Sequence, residues 1–530
     1  MSTAESSINA PMAPASVDSW RKWIIAVTVS FGAILEIIDT SIVNVALPDM
    51  QGNLGATLSE VGWVVSGYAV ANAVIIPLTA WLGDYFGRKR YWVFSLIGFT
   101  VASVLCGLAT NLPTLVAARI LQGLFGGGLL AKAQSILFET FPPSEQGIAQ
   151  AIFGVGVIVG PVVGPTLGGY LTDTLGWRWI FFINIPFGIL AVVTSMLFLP
   201  QMKSKAISDK VDWLGIFLLI IAIGSLQTFL EQGEQYDWFG SGMITALGVV
   251  AVLSLVLFVF RELKTGHPAV DLRVLRYKSL AAGSMYSAIL GFGLYGALFA
   301  IPIFAQNFLN YTAMQTGMLL LPGALASAFM MPILGKLVTK FDARLIIGTG
   351  AILTAVVMFW LSDLNPNSGE SSMFWPLLLR GIATTLMFLP LSLATIGPLP
   401  KADIPAASGF YNLSRQLGGS IGIAIITTLL AQRENYHRSI LVSNIDAFNQ
   451  TAQSYINQTT AMFQGKGFDP VSAQMQAMKL VDRLLNQQAT VMSFADIFWI
   501  VGIIFICSTP LLFFLGKGAG ANKDAAANVH

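Results

Sequence analysis

The sequence predicts an all-α integral membrane protein. Of the 530 residues, 55% are hydrophobic and only 11% are charged, whereas about a quarter of the residues in a soluble domain are charged. Apolar runs of about 20 residues, the length of a helix that crosses a bilayer, recur roughly fourteen times along the chain. They lie near residues 21–46, 58–82, 90–109, 112–138, 146–171, 178–199, 211–229, 241–260, 277–302, 312–335, 343–361, 374–397, 404–432 and 491–516.

Lysine and arginine predict the orientation of these spans. An even number of spans places both chain termini on the same side of the membrane. Basic residues crowd alternate short loops, and the positive-inside rule assigns such loops to the cytoplasm. These basic residues are Arg21 and Lys22, those of 87–90, Lys203, Lys205 and Lys210, those of 261–278, and Lys336, Lys340 and Arg344. We therefore expect these loops and both termini to be cytoplasmic.

Two interruptions in the rhythm of short loops predict the domain organisation. An extra pair of spans separates a first set of six spans from a second set of six, and a long polar stretch on the outer side interrupts the second set. The predicted units are a disordered tail at 1–20, a six-helix bundle at 21–200, two extra helices at 211–260, a second six-helix bundle at 277–516, an insert at 433–490 and a tail at 517–530. The first tail has no apolar core, so we expect no cleavable signal peptide ahead of the first span.

The two sets of six spans show traces of an internal repeat. The loop "AWLGDYFGRKR" (80–90) follows the second span, and a worn counterpart, "GKLVTKFDARL" (335–345), follows the second span of the later set. Secondary transporters build alternating access from internal repeats of this kind. The position of this match therefore favours a transporter.

Composition and missing motifs exclude several other classes. The net charge of +2 comes without a basic stripe, which argues against nucleic-acid binding. The three histidines, His267, His437 and His530, lie outside the predicted spans, and neither a metal-site motif nor a catalytic motif is present. Without a nucleotide-binding motif, we expect no cofactor and an ion gradient as the energy source. A non-transporting receptor or scaffold is the alternative, although it would not need charges inside both sets of spans.

Five motifs occur along the chain. The loop at 80–90 combines a carboxylate (Asp84), a turn glycine (Gly87) and a cation (Arg88). A contact of Asp84 could latch the inner face shut, or the loop could simply anchor the topology. The other four motifs are "DTSIVNVALP" (39–48), "ARILQGLFGG" (118–127), "GPVVGPTLGG" (160–169) and "GWRWIFFINIPFG" (176–188).

With these motifs the chain resembles the major facilitator superfamily, and within it the fourteen-span drug:proton antiporters of the EmrB and QacA type. The resemblance covers nearly the whole chain, although Ala80 and Ala151 stand where the motifs of this family have glycine. It implies two six-helix bundles plus two central helices in a bacterial inner membrane, and proton-driven export of small lipophilic or amphipathic compounds. Relatives of this type work with a periplasmic adaptor and an outer-membrane channel. An endogenous lipid-like, saccharide or secondary-metabolite cargo is the alternative.

The fifth span carries a stripe of small residues. Gly160, Gly164, Gly168 and Gly169 recur at helical spacing, which lets another helix approach closely. Pro165 and Pro161 weaken the backbone ladder and permit a bend. Ordinary helix packing and a moving hinge between the two halves are equally good interpretations of this pattern.

Two carboxylates in the first span predict the coupling site. Glu36 and Asp39 are three residues apart and share one helix face, although a carboxylate inside a bilayer is costly. Arg119 lies at a similar depth in the fourth span, so we expect it to meet Asp39, either as a permanent ion pair or as part of coupling. Glu36 has no cationic partner one helical turn away, which makes it a candidate proton carrier.

Other polar residues inside the spans are candidates for a substrate cavity. Arg380 and Arg415 could each bind an anionic group of a substrate or pair during the cycle. We expect Lys132 to extend its amine toward the cytoplasmic interface. The remaining cavity candidates are Gln122, Asn72, Tyr68, Tyr295 and Asn412.

The polar insert at 433–490 is predicted to form a helical hairpin outside the membrane. One apolar stripe follows alternating steps of four and three, as in a coiled coil. Its members are Leu441, Ile445, Phe448, Ala452, Tyr455, Thr459 and Met462, and Met478, Val481 and Leu485 form a shorter stripe after the turn at 464–470. The two stripes could only pack together, or they could also dock an adaptor.

Overall fold

The structure is a computed structural model that describes residues 19–202, 211–308, 311–365, 368–445 and 449–515. All regular secondary structure in these ranges is helical. The helices are α1 (Ser19–Leu54), α2 (Leu58–Ile75), α3 (Thr79–Phe86), α4 (Arg88–Leu108), α5 (Leu112–Gly126), α6 (Leu129–Thr140), α7 (Pro143–Leu175), α8 (Trp179–Phe182), α9 (Asn184–Phe198), α10 (Trp213–Gln232), α11 (Gly242–Lys264), α12 (Lys278–Phe308), α13 (Ala313–Leu337), α14 (Ala343–Ser362), α15 (Glu370–Ile396), α16 (Ile404–Ser443), α17 (Gln450–Gly465) and α18 (Pro470–Ser508). Almost all of both predicted tails, together with Lys203, Lys205, Lys210 and Phe448, lies outside the described residues.

Fourteen helical segments of the described chain are long and apolar enough to cross a membrane, as predicted. Several of these spans consist of two helical pieces. The second span joins α2 to α3 through a turn of 3-10 helix, Ile76–Leu78, the fourth joins α5 to α6, and the sixth joins α8 to α9. We refer to the spans before α10 as the first half and to those after α11 as the second half.

Local capping explains where several helices begin. Thr57 and Glu60 form a capping box at the start of α2, and Asn111 accepts a hydrogen bond from the Thr114 backbone N–H at the start of α5. Asp469 caps α18 in the same way. These side chains satisfy backbone N–H groups that have no partner within the helix.

The two halves are packed in the same way, which reveals the internal repeat that the sequence shows only weakly. The first and fifth spans of each half pack together, as α1 with α7 and α12 with α16. The second and fourth spans do likewise, as α2 with α5 and α13 with α15. Between the halves, α7 packs against α13, and α16 packs against the break between α2 and α3.

The two extra helices lie at the side of this assembly. Helices α10 and α11 pack on each other, and α10 contacts both α2 and α16. Gln232 donates to Ser66 Oγ (3.0 Å) in the first half, and Gln227 donates to Ser420 Oγ (2.6 Å) in the second. Helix α10 therefore bridges the two halves through hydrogen bonds.

The insert between the last two spans is helical, as predicted, but its apolar face differs. Ile456 and the predicted Thr459 are buried in α17, whereas the predicted Tyr455 and Met462 are exposed. The spacing treated the stripe as one continuous helix, but α16 ends at Ser443 and α17 starts at Gln450, so the stripe does not keep its phase. In the part of α18 that belongs to the insert, Ala473, Ala477, the predicted Val481 and Ala489 are buried, and the predicted Met478 is exposed.

We call the two ends of the bundle the Asp84 end, where α3 meets α4, and the hairpin end, where α16, α17 and α18 project. Successive spans run in opposite directions, so each span crosses from one of these ends to the other.

Candidate transport site

Asp39 is the centre of a buried hydrogen-bond network within the first half. Arg119 donates from Nη1 to Asp39 Oδ2 over 2.6 Å, which confirms the predicted contact between α1 and α5. The side-chain amides of Gln122 and Asn184 each donate to Asp39 Oδ1 over 2.8 Å. Asp39 is 0% exposed and Arg119 is 1% exposed. The Asp39 carboxylate therefore accepts hydrogen bonds from one cation and two neutral donors.

The donors of Arg119 are also engaged elsewhere. Its Nε donates to the Val64 carbonyl (3.0 Å), and its guanidinium lies 4.1 Å from the centre of the Tyr68 ring. Gly123 makes this possible, because a Cβ there would lie 2.6 Å from the Tyr68 carbonyl oxygen of α2. Gln122 and Tyr68, which the sequence predicts to line a substrate cavity, lie in this ion-pair network.

Glu36 has a different set of partners, one helical turn from Asp39. The Asn72 side-chain amide donates to Glu36 Oε1 and the Leu130 backbone N–H donates to Oε2, each over 2.8 Å. Both donors are neutral. Lys132 and Arg415 act on this carboxylate electrostatically, but no cation of the described residues donates a hydrogen bond to it.

The Leu130 N–H is free to bind Glu36 because the fourth span is broken. Helix α5 ends at Gly126 and α6 begins at Leu129, with Gly128 at φ 80° between them. A Cβ on Gly128 would lie 2.1 Å from Thr79 Cγ2, so both the space and the backbone angle require glycine here. At the start of α6, an N–H group that has no acceptor within its own helix thus donates to a carboxylate inside the bundle.

A second polar chain crosses the interface between the halves, close to Glu36. Gln134 of α6 donates to Ser392 Oγ of α15 (2.8 Å) and accepts from the Asn412 amide of α16 (2.7 Å). Asn412 in turn accepts a hydrogen bond from Arg415. Tyr295 packs over the same region, where a Cβ on Gly419 would lie 2.5 Å from its ring. Asn412, Arg415 and Tyr295 thus lie in one region between the halves, and Arg415 acts electrostatically on Glu36, to which Asn72 donates.

Arg380 lies in a separate place from the other predicted cavity residues. It lines a small cavity where α7 of the first half meets α13 and α15 of the second. No hydrogen bond or ion pair joins its side chain to any residue that the structure describes. The predicted cavity residues are therefore divided among three locations.

The glycine stripe of the fifth span faces α1, in the same half. A Cβ on Gly164 would lie 1.9 Å from Ser41 Oγ, and one on Gly160 would lie 2.8 Å from Ile37 Cγ2. Gly168 approaches Ile42 in the same way, and Gly169 is also buried. Helix α7 continues through Pro161 and Pro165. The close packing of this stripe is thus between α1 and α7, within the first half.

The loop between α3 and α4 connects three helices at the Asp84 end of the first half. Arg88 bridges two carboxylates, Asp84 (3.1 Å) and Glu139 at the end of α6 (2.6 Å). Gly87 has φ 87°, a backbone conformation that favours glycine. This loop therefore ties α3, α4 and α6 together.

Lys132 does not extend to the interface, contrary to the prediction from sequence. It is buried, its amine donates to Ser95 Oγ (2.6 Å), and it lies 4.1 Å from the centre of the Tyr91 ring. Its position on α6 turns it inward, toward α4.

Several site residues escaped the sequence analysis. Asn184, Gln134 and Ser392 are polar residues inside apolar spans, which was a usable signal for each of them. The Leu130 N–H gave no side-chain signal, although three consecutive glycines at 126–128 marked the helix break that frees it.

Comparison with known proteins agrees with this architecture. The family model described as Major Facilitator Superfamily matches residues 29–423. The chain is 34% identical to the multidrug export protein EmrB of Escherichia coli (strain K12) over 499 residues, which cover 94% of this chain and 96% of that protein. It is 33% identical to the fatty acid resistance protein FarB of Neisseria gonorrhoeae over 489 residues, covering 92% and 95%.

A solved structure supports the fold alone. The proton:xylose symporter XylE, bound to 6-bromo-6-deoxy-D-glucose, aligns with a TM-score of 0.61 at 14% identity, over 94% of this chain and 96% of that one. Family model, relatives and fold agree, and the chain belongs to the major facilitator superfamily, as a multi-pass membrane transporter rather than an enzyme.

Proposed function

We propose that the chain exports lipophilic and amphipathic compounds in exchange for protons, by alternating access between its two halves. Two relatives, a multidrug export protein and a fatty acid resistance protein, support such a cargo. The observation that carries proton coupling is the contrast between the two carboxylates of α1. Asp39 is held by a buried cation, whereas Glu36 is held by two neutral donors beside the interface.

This contrast assigns different roles to the two acids. An ion pair as buried as Asp39–Arg119 is costly to break, because removing either charge strands the other. Glu36 can take up a proton without stranding a hydrogen-bonded cation. We therefore propose Glu36 as the proton carrier and the Asp39–Arg119 pair as the element that fixes α1 against α5.

The broken fourth span connects Glu36 to the interface. A proton on Glu36 weakens the hydrogen bond that it accepts from Leu130, at the start of α6. Four residues further along the same helix, Gln134 bonds to Ser392 and Asn412 of the second half. In this mechanism, the protonation state of Glu36 sets the position of α6 and hence the contact between the halves.

Transport in proteoliposomes with an imposed pH gradient tests these assignments. We expect Glu36→Gln to abolish uphill export of a lipophilic dye while substrate exchange without a gradient continues, because glutamine keeps the side-chain shape but carries no proton. Asn72→Ala is the matched control, since it removes one partner of Glu36 and leaves the carboxyl group. Normal uphill export by Glu36→Gln, with loss of coupling in a folded Asp39→Asn, would reverse the assignment.

We further propose that the Asp84 end and both termini face the cytoplasm of a bacterium, with the protein in the inner membrane. The basic residues of the Asp84 end, among them Arg88, Lys89 and Arg90, support this orientation. Reporter fusions at residue 517 and within 464–468 test it, since only the first should report a cytoplasmic location.

The hairpin formed by the end of α16, α17 and the start of α18 is the proposed docking site for a periplasmic adaptor and, through it, an outer-membrane channel. Its outer surface displays exposed apolar side chains, namely Tyr455, Met462, Phe468, Val471, Met475 and Met478. Replacing 440–486 with a Gly/Ser linker should preserve transport across a single reconstituted bilayer but remove cellular resistance and adaptor co-purification. A shortened protein that still retains an adaptor would rule out this docking site.

A further inference from the structure

Arg380 is a buried cation without a counter-charge in the described chain. It is 9% exposed, and no charged group of the described residues acts on it electrostatically. The other two arginines buried in the spans differ, because Arg119 is paired with Asp39 and Arg415 is bonded to Asn412. Burying a charge without a partner is unfavourable, so such a group is retained where something else supplies the counter-charge.

The surroundings of Arg380 are mostly apolar. The cavity is lined by Ile158 and Val162 of α7, Leu294 of α12, Leu320 of α13 and Leu377 of α15. It therefore combines one guanidinium with hydrocarbon walls contributed by both halves. A ligand that matches it carries an anionic group on an apolar body.

The location of Arg380 suits a ligand that is bound and released as the halves move. Arg380 is ten residues from the start of α15, which places it on the order of 15 Å along that helix, near the middle of the membrane. Next to it, Ser327 donates to the Gly381 carbonyl (2.8 Å), which fixes α13 against α15. Helix α7 lines the opposite side of the cavity, belongs to the first half and takes no part in that hydrogen bond.

In the present conformation the cavity measures about 40 Å³, which is room for an anionic head group but not for an apolar tail. The seam between α7 and α13 is closed at both ends. A Cβ on Gly317 would lie 2.0 Å from Thr166 Oγ1 at the hairpin end, and one on Gly147 would lie 2.3 Å from the Gly335 carbonyl oxygen at the Asp84 end. Separation of α7 from α13 is what would admit the tail.

We propose that Arg380 and the apolar walls between α7, α13 and α15 form a binding site for the carboxylate of an anionic amphiphile. The guanidinium presents two parallel N–H groups, which match a carboxylate. The site is distinct from the Glu36–Arg415 region at the centre of the interface. This proposal rests on the proposed export function, of which it names a substrate class.

Equilibrium binding to the purified protein in a non-ionic detergent tests the site without a proton gradient, so its outcome is independent of whether export is proton-driven. The probes are laurate, dodecanol and dodecyltrimethylammonium, which share a chain length and differ in charge. We expect laurate to raise the melting temperature of the wild type and the other two to leave it unchanged. Arg380→Met should weaken laurate binding at least tenfold, and Arg380→Lys should weaken it less.

Stability without ligand provides a second readout that does not depend on binding. Arg380→Met should keep or raise the melting temperature, because it removes a charge that lacks a partner. The matched control, Arg119→Met, should lower it, because it strands Asp39. A lower melting temperature for Arg380→Met than for the wild type would show that Arg380 has a structural partner and would overturn the proposal. Equal laurate binding by Arg380→Met and the wild type would also overturn it.

The anion could instead come from the bilayer. Nanodiscs of phosphatidylcholine, with and without phosphatidylglycerol, distinguish the two sources. We expect laurate to bind equally in both. Loss of laurate binding in phosphatidylglycerol nanodiscs, with a stabilising effect of that lipid that depends on Arg380, would assign the site to a membrane lipid and overturn the proposal.

Discussion

Asp39 and Glu36 lie one helical turn apart on α1, yet their surroundings give them different chemistry. Arg119 reaches Asp39 across 80 positions of sequence, and the pair lies almost completely out of contact with solvent. At Glu36 the donors are an amide and a backbone N–H. The two carboxylates therefore depend on different neighbouring helices, Asp39 on α5 and α9 and Glu36 on α2 and α6.

The Asp39–Arg119 pair yields a prediction about stability. Arg119→Met should lower the free energy of unfolding by about 3–5 kcal/mol, because it leaves Asp39 buried without a cation. Adding Asp39→Asn should recover part of that loss, because the neutral amide no longer needs a counter-charge. A double-mutant cycle of denaturant unfolding in detergent measures this coupling. A double variant no more stable than Arg119→Met alone would contradict it.

Among the elements, α7 is the most constrained by its neighbours. Its glycine stripe allows α1 to approach on one side, and Gly147 allows α13 to approach on the other. In a membrane, close packing of this kind replaces the hydrophobic effect as the force that holds helices together. The same stripe in a helix that faced only lipid would have no such use.

Alanine at Gly164 should destabilise the first half. Its Cβ would lie 1.9 Å from Ser41 Oγ and 3.1 Å from the Ile42 backbone nitrogen, so α1 and α7 must separate. We expect a loss of about 1–3 kcal/mol, typical of overpacking. The matched control is Gly62→Ala in α2, where nothing lies within 4 Å of the new Cβ. That variant should gain up to about 1 kcal/mol from helix propensity, and thermal unfolding of both tests the difference.

At the scale of the whole molecule, the two halves are joined at the Asp84 end by backbone packing and by hydrogen bonds. Gly147 and Gly335 bring α7 and α13 into direct backbone contact. Gln134 links α6 to α15 and α16. Alternating access requires these contacts to break and reform together.

Gly147→Val should therefore hold the Asp84 end open, because its side chain would collide with the Gly335 carbonyl. Ala407 on α16 is 0% exposed. A cysteine at this position, Ala407→Cys, can report the opening in a background with Cys106 and Cys507 replaced by alanine. We expect Gly147→Val to speed labelling of this cysteine by a polar maleimide at least tenfold and to stop transport. Gly242→Val, at an open position on α11, is the control. Unchanged labelling in Gly147→Val would show that this contact does not limit opening.

The sequence by itself determined the number of spans, the pair of extra helices and the presence of a helical insert. Each depends on the length of an apolar or polar run, because a helix needs about 20 apolar residues to cross a bilayer. The motifs around Asp39, Asp84 and Arg119 were equally visible, because charged residues stand out in apolar spans.

Only the tertiary structure decided which face of each helix meets which neighbour. In lipid, a face that packs and a face that contacts acyl chains are both apolar, so periodicity does not separate them. For this reason the sequence left open whether the Gly164 stripe faces α1 and did not reveal the bond from Leu130 to Glu36. It also gave no sign that Arg380 has no counter-charge among the described residues. The register of the hairpin also depended on where α16 ends, at Ser443, and where α17 begins, at Gln450, which the apolar spacing alone did not show.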